Sequence, residues 1–494
     1  MVISADDLET NVTLESSKTG VIDEPPFLML VLGDWSGDGD KAGVNLRRPQ
    51  EIDRDNFDEV MSRLRLRLDL GDILLEFADL DDFHPDQLFR RLPVFAELRD
   101  LRKRLVEPNS YNSAAREVRS WSVAEEPGND EVIETQDDAQ PPSDNLLDSI
   151  LSKPSGGAPP PKTKISSELS GLLSDLVRPF IIDVDEDEQK NLLAAVDAAT
   201  SGLMRDILHH PKFQALESAW RGLYFAIRRI ETSTDLKIFV LNVTKDELAD
   251  DLKSAGNLTD SLFFRTTAET DEDEPWAAVC ANYAFEPNVD DTATLIRLSK
   301  IAASANFPFI SHMRPDILGV HSLAAHPDPR DWQLSADSTS GKLWAALRDQ
   351  TESTYLGMTT PRILARLPYG EDTDATETFS FEEFTENSGH EDYLWTNSCF
   401  AAAMLLAQSY SSYGWEMGRV LIQDIEGLPV HIYKENGETI FKPCAETLLT
   451  QSAVDILMEY GLITIVSYKN TDHVKLARFQ SITDPVKGLK GRWS

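Results

Sequence analysis

Cysteine is nearly absent from this chain. Cys280, Cys399 and Cys444 stand far apart in 494 residues, with no Cys-x-x-Cys pair. That excludes a disulfide framework and a cysteine-built zinc site, and it suits a reducing compartment where thiols fill core space. Basic charge is also scarce: 47 Lys and Arg face 84 Asp and Glu, a formal net charge of −37. Nucleic acid and anionic membrane repel such a surface, so neither is an expected partner. No apolar run reaches the roughly 18 residues of a membrane span. Met1-Val2-Ile3-Ser4-Ala5-Asp6-Asp7 has neither the basic nor the apolar region of a signal peptide. The expected location is the cytoplasm.

Enzyme motifs are lacking too. Gly341-Lys342 imitates the end of a phosphate loop, but Ala336 stands where the loop glycine belongs and Leu343 where the magnesium-binding hydroxyl belongs. Gly33-Asp34-Trp35-Ser36-Gly37-Asp38-Gly39-Asp40 gathers acids and glycines without the spacing or distal Glu of a calcium loop, and reads as an acidic turn. His209-His210 falls at a helix break, and His321 and His326 are five apart, off the i,i+4 spacing of two ligands on one helix face. There is no Gly-x-Ser-x-Gly and no His-Glu-x-x-His. No catalytic residue, cofactor site or metal site is assigned, and the chain is expected not to be an enzyme.

What is present is an alternation of strand and helix patterns, which argues for a mixed α/β fold. Residues 1–22 are polar and aperiodic, a flexible arm. The run 27–32 is wholly apolar and closes at Gly33-Asp34, the pattern of a buried strand. A capped helix over 53–64, strands over 66–70 and 73–77, and a helix over 86–105 complete a small α/β domain, 23–119, marginal in size for independent stability. Residues 166–494 form a larger mixed α/β domain. There the patterns give helical sequence over 185–230 broken at His210-Pro211, strands over 236–243, 276–285 and 307–310, helices over 291–305 and 398–413, and a late strand over 462–468.

Between the two lies an acidic, Pro- and Gly-rich linker, 120–165. From Arg119 to Lys153 it holds nine acids and no base, and Gly156-Gly157-Ala158-Pro159-Pro160-Pro161 follows. Such composition predicts disorder. One apolar island, Leu146-Leu147-Asp148-Ser149-Ile150-Leu151, predicts a short helix over 145–152 suited to a partner's groove; packing on its own domain is the alternative.

Two sets of motifs carry a family resemblance. Pro26-Phe27-Leu28-Met29-Leu30-Val31-Leu32-Gly33-Asp34, Ile52-Asp53-Arg54-Asp55-Asn56-Phe57 and Leu80-Asp81-Asp82-Phe83-His84-Pro85-Asp86 resemble the small subunit of the type VI secretion contractile sheath, TssB or VipA. His209-His210-Pro211-Lys212-Phe213-Gln214-Ala215-Leu216-Glu217-Ser218-Ala219-Trp220-Arg221-Gly222-Leu223 resembles the large subunit, TssC or VipB. So do Pro361-Arg362-Ile363-Leu364-Ala365-Arg366-Leu367-Pro368-Tyr369, Gly427-Leu428-Pro429, Pro443 with Glu446, and Lys469-Asn470-Thr471-Asp472 leading to Gln480-Ser481.

The resemblance implies a structural, cytoplasmic component of a bacterial sheath with both subunits fused in one chain. It would assemble around an inner tube and contract to drive effector delivery. The implied partners are other sheath subunits or further copies of itself, an Hcp-like tube protein, baseplate proteins and a ClpV-like AAA+ ATPase. Carried over residue by residue, Leu146, Leu147, Ile150 and Leu151 would contact that ATPase. Arg362, Arg366, Pro368 and Tyr369 form a structural motif, with both arginines in salt bridges; Pro361 suits a helix start that would place them one turn apart. Three departures stand out. Large subunits continue for roughly another hundred residues, about a domain's worth. The glycine-rich step before Gly-Leu-Pro is reduced to Gln423-Asp424-Ile425-Glu426, and the small-subunit part lacks its longer helical tail. The alternative is a sheath-like cap, baseplate adaptor or regulator that never polymerises.

Overall fold

The computed structural model describes residues 24–39, 41, 43–121, 188–269, 273–435 and 437–494. The predicted arm, most of the linker and the 146–151 segment lie outside them.

The apolar run ending in glycine forms β1 (Phe27–Gly33), buried at every position. Then come β2 (Gln50–Ile52), α1 (Phe57–Leu64), β3 (Leu66–Asp69), β4 (Leu74–Phe77), α2 (Pro85–Arg91), α3 (Pro93–Val106) and α4 (Tyr111–Trp121). The second segment brings α5 (Glu188–Leu208), α6 (Pro211–Ile227), β5 (Leu236–Asn242), α7 (Lys245–Ser254), α8 (Leu262–Thr267), β6 (Trp276–Phe285), α9 (Val289–Ala305), β7 (Phe309–Met313) and α10 (Thr339–Arg348). It ends with β8 (Leu356–Thr360), β9 (Ile363–Leu364), β10 (Trp395–Thr396), α11 (Cys399–Tyr413), β11 (Asp424–Ile425), β12 (His431–Glu435), β13 (Glu438–Lys442), α12 (Gln451–Glu459), β14 (Leu462–Ser467) and β15 (Val474–Leu476).

Nine strands make one mixed sheet in the order β11-β15-β14-β8-β7-β6-β1-β5-β2. Its interior pairs are parallel, and β2, β15 and β11 run antiparallel at the edges. β1 therefore lies inside the sheet of the second segment, between β5 and β6. It matches β5 over seven residues, Phe27 against Leu236 through Gly33 against Asn242. Its side chains split between two cores, because a strand's side chains alternate. Phe27, Met29 and Val31 join the layer of α1, α3, α4, α5, α6 and α11. Leu28, Leu30 and Leu32 join that of α7, α9, α10 and α12. Burial on both faces is why the strand reads as a continuous apolar run. The first segment thus shares its central strand and both cores with the second and does not stand alone.

The helix expected over 86–105 is two helices. Pro93 lacks an N–H and crowds the preceding turn, so α2 ends at Arg91 and α3 starts afresh. No helix begins at Pro361: the chain forms β9, pairing with β10, so Arg362 and Arg366 are not a helical i,i+4 pair. Only six residues separate Pro361 from Pro368, too few for a stable helix. Gly341 lies within α10, its N–H accepted by the Ser338 cap at 2.9 Å. Among the described residues, no helix is long and apolar enough to cross a membrane.

Candidate functional site

The seam between the two segments centres on α6. Its start is set by Pro211 and by His210, whose Nδ1 accepts from the Lys212 N–H at 3.2 Å. One face of the helix meets the first segment. Phe213 contacts Phe77 and Phe83 at ring distances of 5.9 and 5.5 Å. Trp220 lies edge-on to Trp35 at 5.4 Å and to Phe57 at 5.5 Å, and its Nε1 donates to the Trp35 carbonyl at 3.0 Å. Opposite, a Cβ on Gly222 would sit 2.2 Å from Thr396 Oγ1 and 2.5 Å from the Phe400 ring, so only glycine lets α6 approach β10 and α11 this closely.

Beside these aromatics lies a buried ion network. Arg366 donates to both oxygens of Glu217, at 2.8 and 3.2 Å, and to both of Glu383, at 2.7 and 3.1 Å. Those glutamates are 0% and 1% exposed. Arg221 donates to Glu217 at 2.7 Å and to the Tyr369 hydroxyl at 2.9 Å. The Tyr369 N–H donates to Glu383 at 2.8 Å, and the Arg366 guanidinium lies 4.2 Å from the Tyr369 ring centre. Two cations thus balance two carboxylates, the condition for keeping charges buried. Burial works to raise the Glu383 pKa, but Arg366 and His209 outweigh it and hold it at about 2. Burial carries Tyr369 up to about 12 against the pull of Arg221 and Arg366. The ring of His84, from the first segment, stands edge-on to Tyr369 at 4.8 Å.

A second cluster holds the other motif arginine. Arg362 donates from its backbone and side chain to Glu446 at 2.8 and 2.7 Å, reaches Glu391 at 3.1 Å, and accepts at its carbonyl from the Glu446 N–H at 3.1 Å. Burial opposes the charge on Glu446, yet His390 and Arg362 lower its pKa well below the carboxylate range. His390, Glu391 and Glu446 form the one His and acid group among the described residues close enough to share a cation. Arg362 already neutralises both carboxylates and Lys442 Nζ lies 2.9 Å from His390 Nδ1, so the set fits an ion-pair cluster better than a metal centre. The acidic turn is likewise occupied: Asp34 accepts from Gly37 and Lys41, and Asp38 from the Asp69 N–H and Lys212.

Polar contacts extend the seam. Asp86 accepts from the N–H groups of Glu377 and Thr378 at 2.9 and 3.0 Å and from the Thr378 hydroxyl. Arg47 grips Glu247 through two bonds of 2.8 and 2.7 Å. Arg102 pairs with Asp197, and Tyr111 and Arg119 with Glu188.

The structure therefore brings Arg366 and Tyr369 into one network, with Pro368 buried beside them, and puts Arg362 in a separate cluster. The ATPase-contact candidates Leu146, Leu147, Ile150 and Leu151 lie outside the described residues. Glu383 escaped the sequence reading because nothing in Phe381-Glu382-Glu383-Phe384 tells which glutamate turns inward. Glu217 and Arg221 stood in the quoted motif, four apart on one helix, and their pairing was available from that spacing.

Residues 190–483 match the VipB family (EvpB/VC_A0108, tail sheath N-terminal domain), and residues 10–121 match the type VI secretion system VipA family (VipA, VC_A0107 or Hcp2). The chain is 34% identical over 312 residues to the type VI secretion system sheath protein TssC1 of Pseudomonas aeruginosa, an alignment covering 60% of this chain and 62% of that protein. The α6 motif, the Arg362 and Arg366 clusters and β5 to β15 all fall within the VipB match, whereas β1 to α4 fall within the VipA match. With a single sheet built from both, the chain belongs to the VipB tail-sheath family of type VI secretion and carries a VipA-type segment fused to it.

Proposed function

We propose that this chain is a building block of a contractile type VI secretion sheath, acting in the bacterial cytoplasm, in which one polypeptide supplies what two subunits supply elsewhere. The observation that carries the reading is β1: a VipA-type strand pairs over seven residues with β5 and also with β6, both from the VipB-type segment. A fold that needs both parts to complete its sheet is a built-in heterodimer. The linker keeps the second part at high effective concentration for the first.

The work of such a unit is mechanical. A lattice of units stores free energy in an extended packing, and release to a contracted packing drives an inner tube outward. That requires bistable contacts between units and a unit that stays intact while they change. The seam supplies rigidity through buried aromatics and the balanced Arg366 network. Further copies, an Hcp-like tube, baseplate proteins and a ClpV-like ATPase acting on Leu146, Leu147, Ile150 and Leu151 are the proposed partners.

Negative-stain electron microscopy of the purified chain, alone and with the other sheath proteins of its source, tests this. Tubes that contain the chain support the reading. Compact particles only, or tubes shortened by the chain, would replace it with a cap or adaptor.

A further inference from the structure

Lys442, the last residue of β13, turns its amine to an imidazole. Its Nζ donates to His390 Nδ1 at 2.9 Å, whereas Lys41, Lys212, Lys245 and Lys475 pair with carboxylates. A nitrogen that accepts carries no proton, so the N–H of that imidazole sits on Nε2. Glu446 stands on the Nε2 side, its Oε1 3.8 Å away. Carboxylate, imidazole and amine thus follow one another, the order in which a side-chain nucleophile is activated by a base and the base by an orienting group. Arg362 already holds Glu391 and Glu446, which leaves Lys442 to the imidazole.

The surroundings suit an amine that reacts. Lys442 is half-buried, and its Nζ lies 4.8 Å from the Tyr393 ring centre and 5.8 Å from that of Trp395. Its cross-strand partner is His431, whose Nδ1 bonds the Tyr393 hydroxyl at 2.7 Å. Burial lowers the Lys442 pKa against the opposing pull of Glu391 and Glu446. A reagent can still arrive, because Lys442 borders two hollows. One of about 1020 Å³ lies between the hairpin and residues 368–393, with His431 and Lys434 in its wall. The other, of about 320 Å³, has Leu448 and Lys469 in its wall. Both are large enough for a small molecule.

We propose that Lys442 is a nucleophilic lysine and a covalent modification site, acylated at Nζ by small activated acyl donors of the acyl phosphate class, with His390 as the base. From the ammonium form one proton first passes to solvent. The Nζ lone pair then attacks the acyl carbon and forms the amide C–N bond. The C–O bond to phosphate breaks, phosphate leaves with the electron pair, and His390 Nδ1 takes the proton that Nζ loses. The product is a neutral amide, so the positive charge beside Tyr393 and Trp395 is erased.

The full chain treated with acetyl phosphate at about pH 8, where an ordinary lysine is almost wholly protonated, and mapped over time by peptide mass spectrometry, tests this. Lys434 and Lys469 are the references, because both are exposed and border the same two hollows. Accessibility alone would make them faster. Lys442 is expected to be acylated at least about tenfold faster than either, the low side of what a positioned base contributes. His390→Gln keeps a hydrogen-bond acceptor but no base; it should bring Lys442 down to the level of the references, with their rates and the circular dichroism unchanged. Should that variant not fold, the parent chain unfolded in urea decides, since unfolding must abolish the lead of Lys442. The proposal is overturned if Lys442 reacts no faster than Lys434 and Lys469, if its lead survives His390→Gln in a folded chain, or if its lead survives unfolding.

Discussion

Replacing Arg366 by methionine removes the guanidinium that serves both buried glutamates and keeps most of its volume. In the parent chain Arg221 and Arg366 balance Glu217 and Glu383; in the variant Arg221 alone remains, on Glu217. Glu383, 1% exposed, is left with the Tyr369 N–H and with His209 at 3.4 Å. Breaking a buried pair from one side costs about 3–5 kcal/mol. The pKa displacement gives the same scale: moving Glu383 from 4.5 to about 2 corresponds to about 3 kcal/mol. The sign follows from the depressed pKa. Glu383 stabilises the parent fold fully above pH 4.5, and that contribution is lost as pH falls toward about 2. Without Arg366, burial is unopposed by its charge and raises the Glu383 pKa, so the variant recovers stability by taking up a proton above pH 4.5. Urea unfolding followed by tryptophan fluorescence and circular dichroism is expected to show a gap of about 3–5 kcal/mol at pH 7, shrinking to less than about 2 kcal/mol near pH 5. A gap under about 1 kcal/mol at pH 7, or one equal at both pH values, would refute the assignment of this network as the seam's electrostatic anchor.

Trp220→Ala empties a fully buried site shared by Trp35 and Phe57 and is expected to cost about 3–5 kcal/mol in the same urea assay; a loss under about 1 kcal/mol would mean that the seam repacks freely. Gly222→Val places a side chain where its Cβ already meets Thr396 and Phe400, and should yield insoluble protein or a lower melting temperature, whereas unchanged melting would contradict the close approach of α6 and α11. Asp86→Ala frees two backbone N–H groups and the Thr378 hydroxyl and is expected to cost about 1–3 kcal/mol and to speed proteolysis around 377–378. Its pKa is lowered, because the bonds from Glu377 and Thr378 outweigh burial, so the parent's advantage over this variant should fade below the usual carboxylate pKa of about 4.

Much of the secondary structure was legible because local pattern and tertiary demand agree. The run 27–32 is apolar throughout because both faces of β1 are covered, and the pattern over Trp276–Phe285 marks a strand buried at eight of its ten positions. Alternation at Leu66 and Leu68 gave β3, whose residues are buried and exposed in turn. What sequence hid was long-range. Nothing in Phe27–Gly33 says that its neighbours are β5 and β6, more than 200 residues on, so a small separate domain was the natural reading. The arginine motif is legible as residues but not as backbone: its i,i+4 spacing suggests a helix face, whereas the chain is pinned there by Glu446 and by pairing of Leu364 with Trp395. The Arg366 network needed three elements to meet, and only the Glu217–Arg221 half of it lies on one helix.

The direct test of a single folding unit built from both segments is to introduce a specific protease site at Gly156-Gly157, cut the purified full chain, and pass it through size exclusion in buffer and in moderate urea. With β1 seated between β5 and β6, the two fragments co-elute as one particle and unfold in a single transition at the midpoint of the uncut chain, apart from a small entropic shift. Fragments that separate in buffer while each keeps its own cooperative fold would contradict it.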